Sequence, residues 1–139
     1  MIDASVQRDF QDGDIEKIHI REQDKWRDLE AFKRCYSVSF YDGDQIVAIV
    51  GIVKVNEQTC EMFAAFDECA GRYTRKIIEH GRALLFHINE YFVRIQAIVK
   101  ADWRVGRRFL DSMGFSEEGT MRKFGPGGTD YCIYARVRQ

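Results

Sequence analysis

The sequence predicts an α+β (α/β) fold, a mixed and mostly antiparallel sheet with helices on both faces. Three observations carry this reading. Residues 45–55, Q-I-V-A-I-V-G-I-V-K-V, form a near-continuous β-branched run of the kind a strand buried on both faces requires. A helical repeat of apolar residues over 72–92 stands between two strand-like runs, 59–66 and 93–99, so strand, helix and strand read as one crossover joining parallel neighbours. Residues 93–115, V-R-I-Q-A-I-V-K-A-D-W-R-V-G-R-R-F-L-D-S-M-G-F, then read as a strand, a short basic amphipathic helix and the start of another strand.

Taken in order, residues 2–7 alternate as a first strand, and Asp9, Asp12 and Asp14 are candidate helix N-caps. Ile15, Ile18 and His19 give an amphipathic turn. Trp26, Leu29, Ala31 and Phe32 give a second, so 10–33 reads as one broken helix or two short ones. Residues 35–41 are a strand, and Asp42-Gly43-Asp44 is a hairpin turn in which Gly43 supplies positive φ. After the strand at 45–55, Asn56-Glu57-Gln58 turns the chain into the strand at 59–66, giving an antiparallel meander. A loop at 67–71 leads to the helix at 72–92, whose apolar face is Ile77, Ile78, Gly81, Leu84, Leu85, Ile88 and Phe92. Gly81 on that face costs about 1 kcal/mol of helix propensity and points to close approach of the sheet. The helix at 102–113 is expected to bury Gly106, Phe109, Leu110 and Met113, to expose Arg104, Arg107, Arg108 and Asp111, and to stop at Gly114 as its C′ residue. Strands at 115–124 and 129–137, joined by Gly125-Pro126-Gly127-Gly128, close the chain.

The chain has 139 residues, the size of a single domain over 1–139 with one core. Its 45% hydrophobic and 31% charged residues are those of an ordinary globular protein, and the net charge of −1 gives no general pull toward nucleic acid or an anionic membrane. No apolar run approaches the ~20 residues of a membrane span, and the N-terminus lacks a basic region followed by an apolar one. These features point to a protein that stays in the cytoplasm. Cys35, Cys60, Cys69 and Cys132 form no C-x-x-C pair and read as reduced structural residues, with Cys69, in a loop, the one expected to be exposed. His80 and His87 lie seven apart on one helix, ~10 Å along its axis and beyond the reach of one metal ion, so no metal site is expected.

The element order, the helix V-G-R-R-F-L-D-S-M-G-F and the closing runs E-E-G-T-M-R-K-F and D-Y-C-I-Y-A-R-V resemble the GCN5-related N-acetyltransferase (GNAT) superfamily over nearly the whole chain. The resemblance implies the GNAT acyl-CoA N-acyltransferase fold, acetyl-CoA as co-substrate, and acyl transfer to a small-molecule or peptide amine. In that family a Q/R-x-x-G-x-G/A loop before a helix holds the CoA pyrophosphate, because exposed N–H groups and the helix dipole favour an anion. Here the loop is Glu68-Cys69-Ala70-Gly71-Arg72-Tyr73-Thr74-Arg75-Lys76, with one glycine kept and three cations added. The resemblance implies cofactor contacts for Phe66, Gly71, Arg72, Tyr73, Thr74, Arg75 and Lys76, and for Trp103 as either a lid or a half-buried anchor. A cationic first turn opposes the helix dipole and is destabilising unless an anion is present.

Two further positions depart from the family. The helix tyrosine that commonly protonates the leaving thiolate is replaced by Leu110, and the asparagine at the helix start by Trp103, beside Asp102. For a general base the family points to Glu61, on the fourth strand, with Asp67 and Glu68 at the end of that strand. The competing reading of Glu61 is an outward residue that solvates the sheet. Tyr131 is a weaker polar candidate, and Tyr134 reads as core. Arg72, Arg75, Lys76, Arg82, Arg104, Arg107 and Arg108 could bind phosphates or form solvated helix faces. The departures and the F-L-x-x-x-G helix ending also resemble small acetyltransferase-like proteins of tailed phages. That resemblance implies the alternative of a catalytically silent GNAT-fold virion, assembly or binding protein, in a homodimer or with a virion partner, in the host cytoplasm or the virion.

Overall fold

A computed structural model describes residues 5–20 and 28–138 of the chain. Its elements are β1 (Ser5–Asp9), α1 (Asp14–Lys17), a 3-10 turn (Leu29–Arg34), β2 (Tyr36–Asp42), β3 (Gln45–Lys54) and β4 (Thr59–Phe66). A second 3-10 turn (Ala70–Tyr73), α2 (Thr74–Ile88), β5 (Arg94–Lys100), α3 (Arg104–Ser112), β6 (Ser116–Met121), a third 3-10 turn (Pro126–Gly128) and β7 (Tyr131–Val137) follow. Hydrogen bonding orders the strands β1-β2-β3-β4-β5-β7-β6. β4 and β5 pair in parallel, while β1/β2, β2/β3, β5/β7 and β6/β7 are antiparallel, which is the mixed α+β sheet expected. Residues 2–4 of the expected first strand and Trp26 of the expected second helix lie outside the described residues.

The chain divides into two compact units, one of residues 1–53 and 63–77, the other of 54–62 and 78–139. In the first, every residue of β3 from Ile46 to Ile52 is buried, as its unbroken apolar run requires. Ile18, Phe32, Tyr41, Ile46, Ile49 and Ala65 form the core cluster, and the Phe32 and Phe63 rings stack at 4.8 Å. Gly51 permits this packing, since a Cβ there would lie 2.6 Å from Phe63 Cζ. Gly43 has φ +63° in the β2–β3 turn, as that turn demands.

Asp14 is not the helix N-cap. Gly13 holds that position and makes no side-chain bond, and Asp14 is the first residue of α1. Its buried carboxylate accepts from Gln11 N (2.9 Å), from the Ser39 hydroxyl (2.7 Å) and from the Tyr41 hydroxyl, and Tyr41 in turn accepts from Lys17 Nζ (3.3 Å). An acidic side chain near a helix start suits either role, and the β2 donors decided which it took.

In the second unit, Ile95, Ala97 and Val99 are buried while Arg94, Gln96, Ile98 and Lys100 are half-buried, so β5 is two-sided with period 2. Leu84, Leu85 and Ile88 of α2 are buried as expected. The α-helix is shorter than predicted, entering through the 3-10 turn and stopping at Ile88. The Asn89 amide then donates to Phe92 O (3.0 Å), and Arg136 Nε donates to Asn89 Oδ1 (2.8 Å). Gly81 meets Met113 at the end of α3 rather than the sheet: a Cβ would lie 2.2 Å from Met113 Cε. Gly114 ends α3 with φ +87°, as expected of a C′ glycine. β6 is only six residues long and carries a register shift between Glu117 and Gly119.

Candidate functional site

In the first unit, Asp67 follows directly on β4 and organises the loop that leads to α2. Its N–H donates to Val47 O (2.9 Å), and its buried carboxylate accepts from His19 N (2.8 Å) and Cys69 N (3.0 Å). Burial by itself pushes the Asp67 carboxyl up, but the bonds from His19 and Cys69 outweigh it and hold it below the usual carboxylate value. Ala70 N donates to Asp67 O (2.9 Å) and Arg72 N to Cys69 O (3.1 Å). The N–H groups of Cys69, Ala70 and Arg72 are thus spent inside the loop, where the family pattern would leave N–H groups for an anion.

What the loop offers instead is charge. Arg72 and Arg75 are exposed, Lys76 is half-buried, and the first turn of α2 contains no acidic residue. Among the described residues neither Arg72 nor Arg75 pairs with a carboxylate. Gly71 has open space where a Cβ would sit. The Thr74 hydroxyl donates to Gly71 O (3.0 Å), and a hydrogen bond to the Asp42 carboxylate pushes the Tyr73 phenol up. Phe66 is half-buried at the end of β4.

In the second unit, the parallel β4–β5 ladder spans Thr59–Glu61 against Arg94–Gln96 and ends with the pair Glu61↔Gln96. Glu61 is half-buried, and Oε1 accepts from Gln96 Nε2 (2.9 Å), so it is more than a solvated surface residue. Gln96 Oε1 accepts from Arg94 Nε (3.0 Å), and Arg94 donates its two terminal nitrogens to Glu118 (2.9 and 2.7 Å). The Glu118 partner raises the Arg94 pKa, and Arg94 correspondingly depresses that of Glu118. Sequence reading missed this chain of four polar side chains. Only alternation on β5, which puts Arg94 and Gln96 on one face, hinted at it.

Trp103 is half-buried, and its ring lies against its own helix, where a Cβ on Gly106 would come within 2.3 Å of Trp103 Cε3. Leu110, at the position of the family's tyrosine, is buried and has no proton to give. Arg107 corrects an expectation: it is not a solvated residue of α3. It donates to Tyr134 Oη (3.1 Å), Ala101 O (3.0 Å) and Glu117 Oε1 (2.7 Å), tying α3 to β7 and β6. Tyr134 is core as expected, and Tyr131 is buried against Phe124. Arg82, too, is engaged, donating to Ser112 O (2.8 Å).

Cys69 is half-buried rather than exposed, and burial, with the neighbouring Asp67 carboxylate, pushes its thiol up to about 11. Burial pushes Cys60 to about 11 as well. Among the described residues no group of three or more His, Cys, Asp or Glu could hold a metal ion, and no helix is long and apolar enough to cross a membrane.

No protein-family model matches the sequence, and no curated protein matches it. Solved structures do match. Ard1 from Thermoplasma volcanium superposes with a TM-score of 0.80 at 15% identity, over 98% of this chain and 99% of that one. A GNAT-family acetyltransferase from Bacillus anthracis gives 0.72 at 19% identity, over 96% and 95%. The spermidine/spermine N-acetyltransferase SpeG from Vibrio cholerae gives 0.70 at 14%, over 96% and 92%. The chain therefore has the GNAT acetyltransferase fold.

Proposed function

We propose that the protein is an acetyl-CoA-dependent N-acetyltransferase that acylates the primary amine of a small molecule or peptide. The observation that carries this reading is the entry to α2: Arg72, on the 3-10 turn that leads into the helix, and Arg75, in its first turn, stand exposed and, among the described residues, without a carboxylate partner, and that first turn holds no acidic residue. Cations there oppose the macrodipole, so the arrangement is unfavourable alone and favourable beside an anion. The GNAT fold supplies the class of anion, the CoA phosphates.

The residues present fit that group by charge, with Arg72, Arg75 and Lys76 as its holders. They do not reproduce the glycine-lined N–H cradle, since the N–H groups of Glu68, Cys69, Ala70 and Arg72 are already bonded. When bound, acetyl-CoA supplies the acyl group as an activated thioester. Glu61 is the base in this reading: Oε1 is held by Gln96, and Oε2, with no partner among the described residues, is left to take a proton from the acceptor's ammonium. Leu110 offers no proton to the leaving sulfur, which removes a contribution typically on the order of 10²–10⁴ in rate.

Titration with acetyl-CoA followed by thermal shift and calorimetry tests the reading. Ligand at about 100 times its Kd stabilises by roughly 2.7 kcal/mol. The expected result is a clear upward shift, reduced at least tenfold in affinity by Arg72→Ala with Arg75→Ala. No shift at millimolar acetyl-CoA refutes the enzyme reading, and unchanged affinity in the double variant refutes the placement of the phosphates. Leu110 and the spent loop N–H groups favour a second reading, a silent GNAT-fold virion, assembly or binding component of phage type. Absence of acetyl-CoA binding would support it.

A further inference from the structure

We infer that Gln96 is a positioning residue for Glu61, held in place by Arg94 and Glu118. The inference rests on the acyltransferase reading with Glu61 as base, and it adds Gln96, Arg94 and Glu118 to that site. The two ends of the Gln96 amide are chemically distinct. Oε1 accepts from Arg94 Nε (3.0 Å), and Nε2 donates to Glu61 Oε1 (2.9 Å). Turning the amide over would set donor against donor at Arg94 and acceptor against acceptor at Glu61, so Arg94 fixes which way Gln96 faces. Arg94 is itself held by the bidentate pair with Glu118, whose planar fork leaves it little rotational freedom.

The charges point the same way. Arg94 and Glu118 cancel, and Gln96 is neutral, so the strip carries one net negative charge, and it sits on Glu61. That carboxylate is half-buried and at the end of the β4–β5 ladder. Its Oε1 is occupied by Gln96, which sets the direction of Oε2. In the transfer, Glu61 takes the first proton of the acceptor ammonium. The C–N bond to the acyl carbon forms as the C–S bond breaks, with its electron pair leaving on sulfur, and the second proton passes from the acylated nitrogen to solvent. Only the first proton transfer depends on where Oε2 points, so loss of Gln96 should reach the rate and leave acetyl-CoA binding alone.

Two readouts test this. In ¹⁵N NMR the Gln96 side-chain amide resonances should move as pH is lowered. Glu61→Gln should abolish that movement, and Glu118→Gln should leave it. In transfer assays with n-butylamine, spermidine and an unblocked hexapeptide, Gln96→Leu should lower kcat roughly tenfold or more at unchanged KM for acetyl-CoA. Adding Arg94→Met to Gln96→Leu should cost nothing further, whereas Arg94→Met alone should reproduce part of the loss. A Gln96 amide that ignores Glu61, or a Gln96→Leu enzyme with full kcat beside an inactive Glu61→Gln, overturns the positioning role while the acyltransferase reading stands. No transfer by the unmodified protein to any of the amines overturns both, even where the amide still reports on Glu61.

Discussion

Replacing Asp14 by alanine should be among the most destabilising single changes in the first unit, and its effect should fade at low pH. The carboxylate is 2% exposed and accepts from Gln11 N, Ser39 Oγ and Tyr41 Oη, with Lys17 close by. Alanine leaves the fully buried Ser39 hydroxyl and the buried Tyr41 hydroxyl without their acceptor, at about 1–3 kcal/mol for each. The Gln11 N–H, on an exposed residue, can turn to water. Relief from burying a charge offsets part of this, so a net loss of about 2–4 kcal/mol is expected. Burial pushes the Asp14 carboxyl up, but its hydrogen bonds and Lys17 outweigh that and hold it below the usual value. A depressed folded pKa means that the contribution is present above the unfolded value, near 3.8, and is lost as pH falls through the folded one. Urea unfolding of both proteins between pH 7 and pH 3 measures the difference. A loss below about 1 kcal/mol at pH 7, or one that stays constant down to pH 3, would refute this account of the cluster.

Two other outcomes are expected. Gly106→Ala should destabilise despite a helix-propensity gain of up to about 1 kcal/mol, because the new Cβ displaces the Trp103 ring at a cost of about 1–3 kcal/mol. In a Trp26→Phe background the fluorescence of Trp103 should shift to the red, and an unchanged spectrum would contradict the packing. Cys69, with its thiol near 11, is ionised to on the order of 3 parts in 10⁴ at pH 7.5 and should react slowly with a disulfide reagent, then much faster near pH 10, whereas the fully buried Cys60 should stay slow at both. Labelling of Cys69 at the rate of free cysteine at pH 7.5 would show the loop to be differently built.

Much of the fold was legible because it rests on periodicity, which is local. The face of α2 through Ile77, Leu84, Leu85 and Ile88, the two-sided burial of β3 and the stop at Gly114 all follow from spacing or backbone sterics. Helix ends were less legible. The chain enters α2 through a 3-10 turn set by Asp67, and it leaves at Ile88, where the next residue, Asn89, is held by Arg136, 47 positions downstream.

The candidate site was legible as residue types and not as partnerships. Arg72, Arg75 and Glu61 could be named from the chain order, but not that Cys69, Ala70 and Arg72 bond within their own loop. Arg107 looked like its exposed neighbours Arg104 and Arg108 until Tyr134 and Glu117 were found within reach. Sequence by itself determined the element order, the buried faces and the absence of a tyrosine at Leu110, because each is a property of one residue or of its near neighbours. Tertiary structure alone decided that Asp14 would serve Ser39 and Tyr41, and that Glu118 would hold Arg94, Arg94 hold Gln96, and Gln96 hold Glu61. A hydrogen bond needs its two ends within about 3 Å, and only the folded chain, with α1 set against β2 and β4 paired with β5, brings together groups 25 or 35 positions apart.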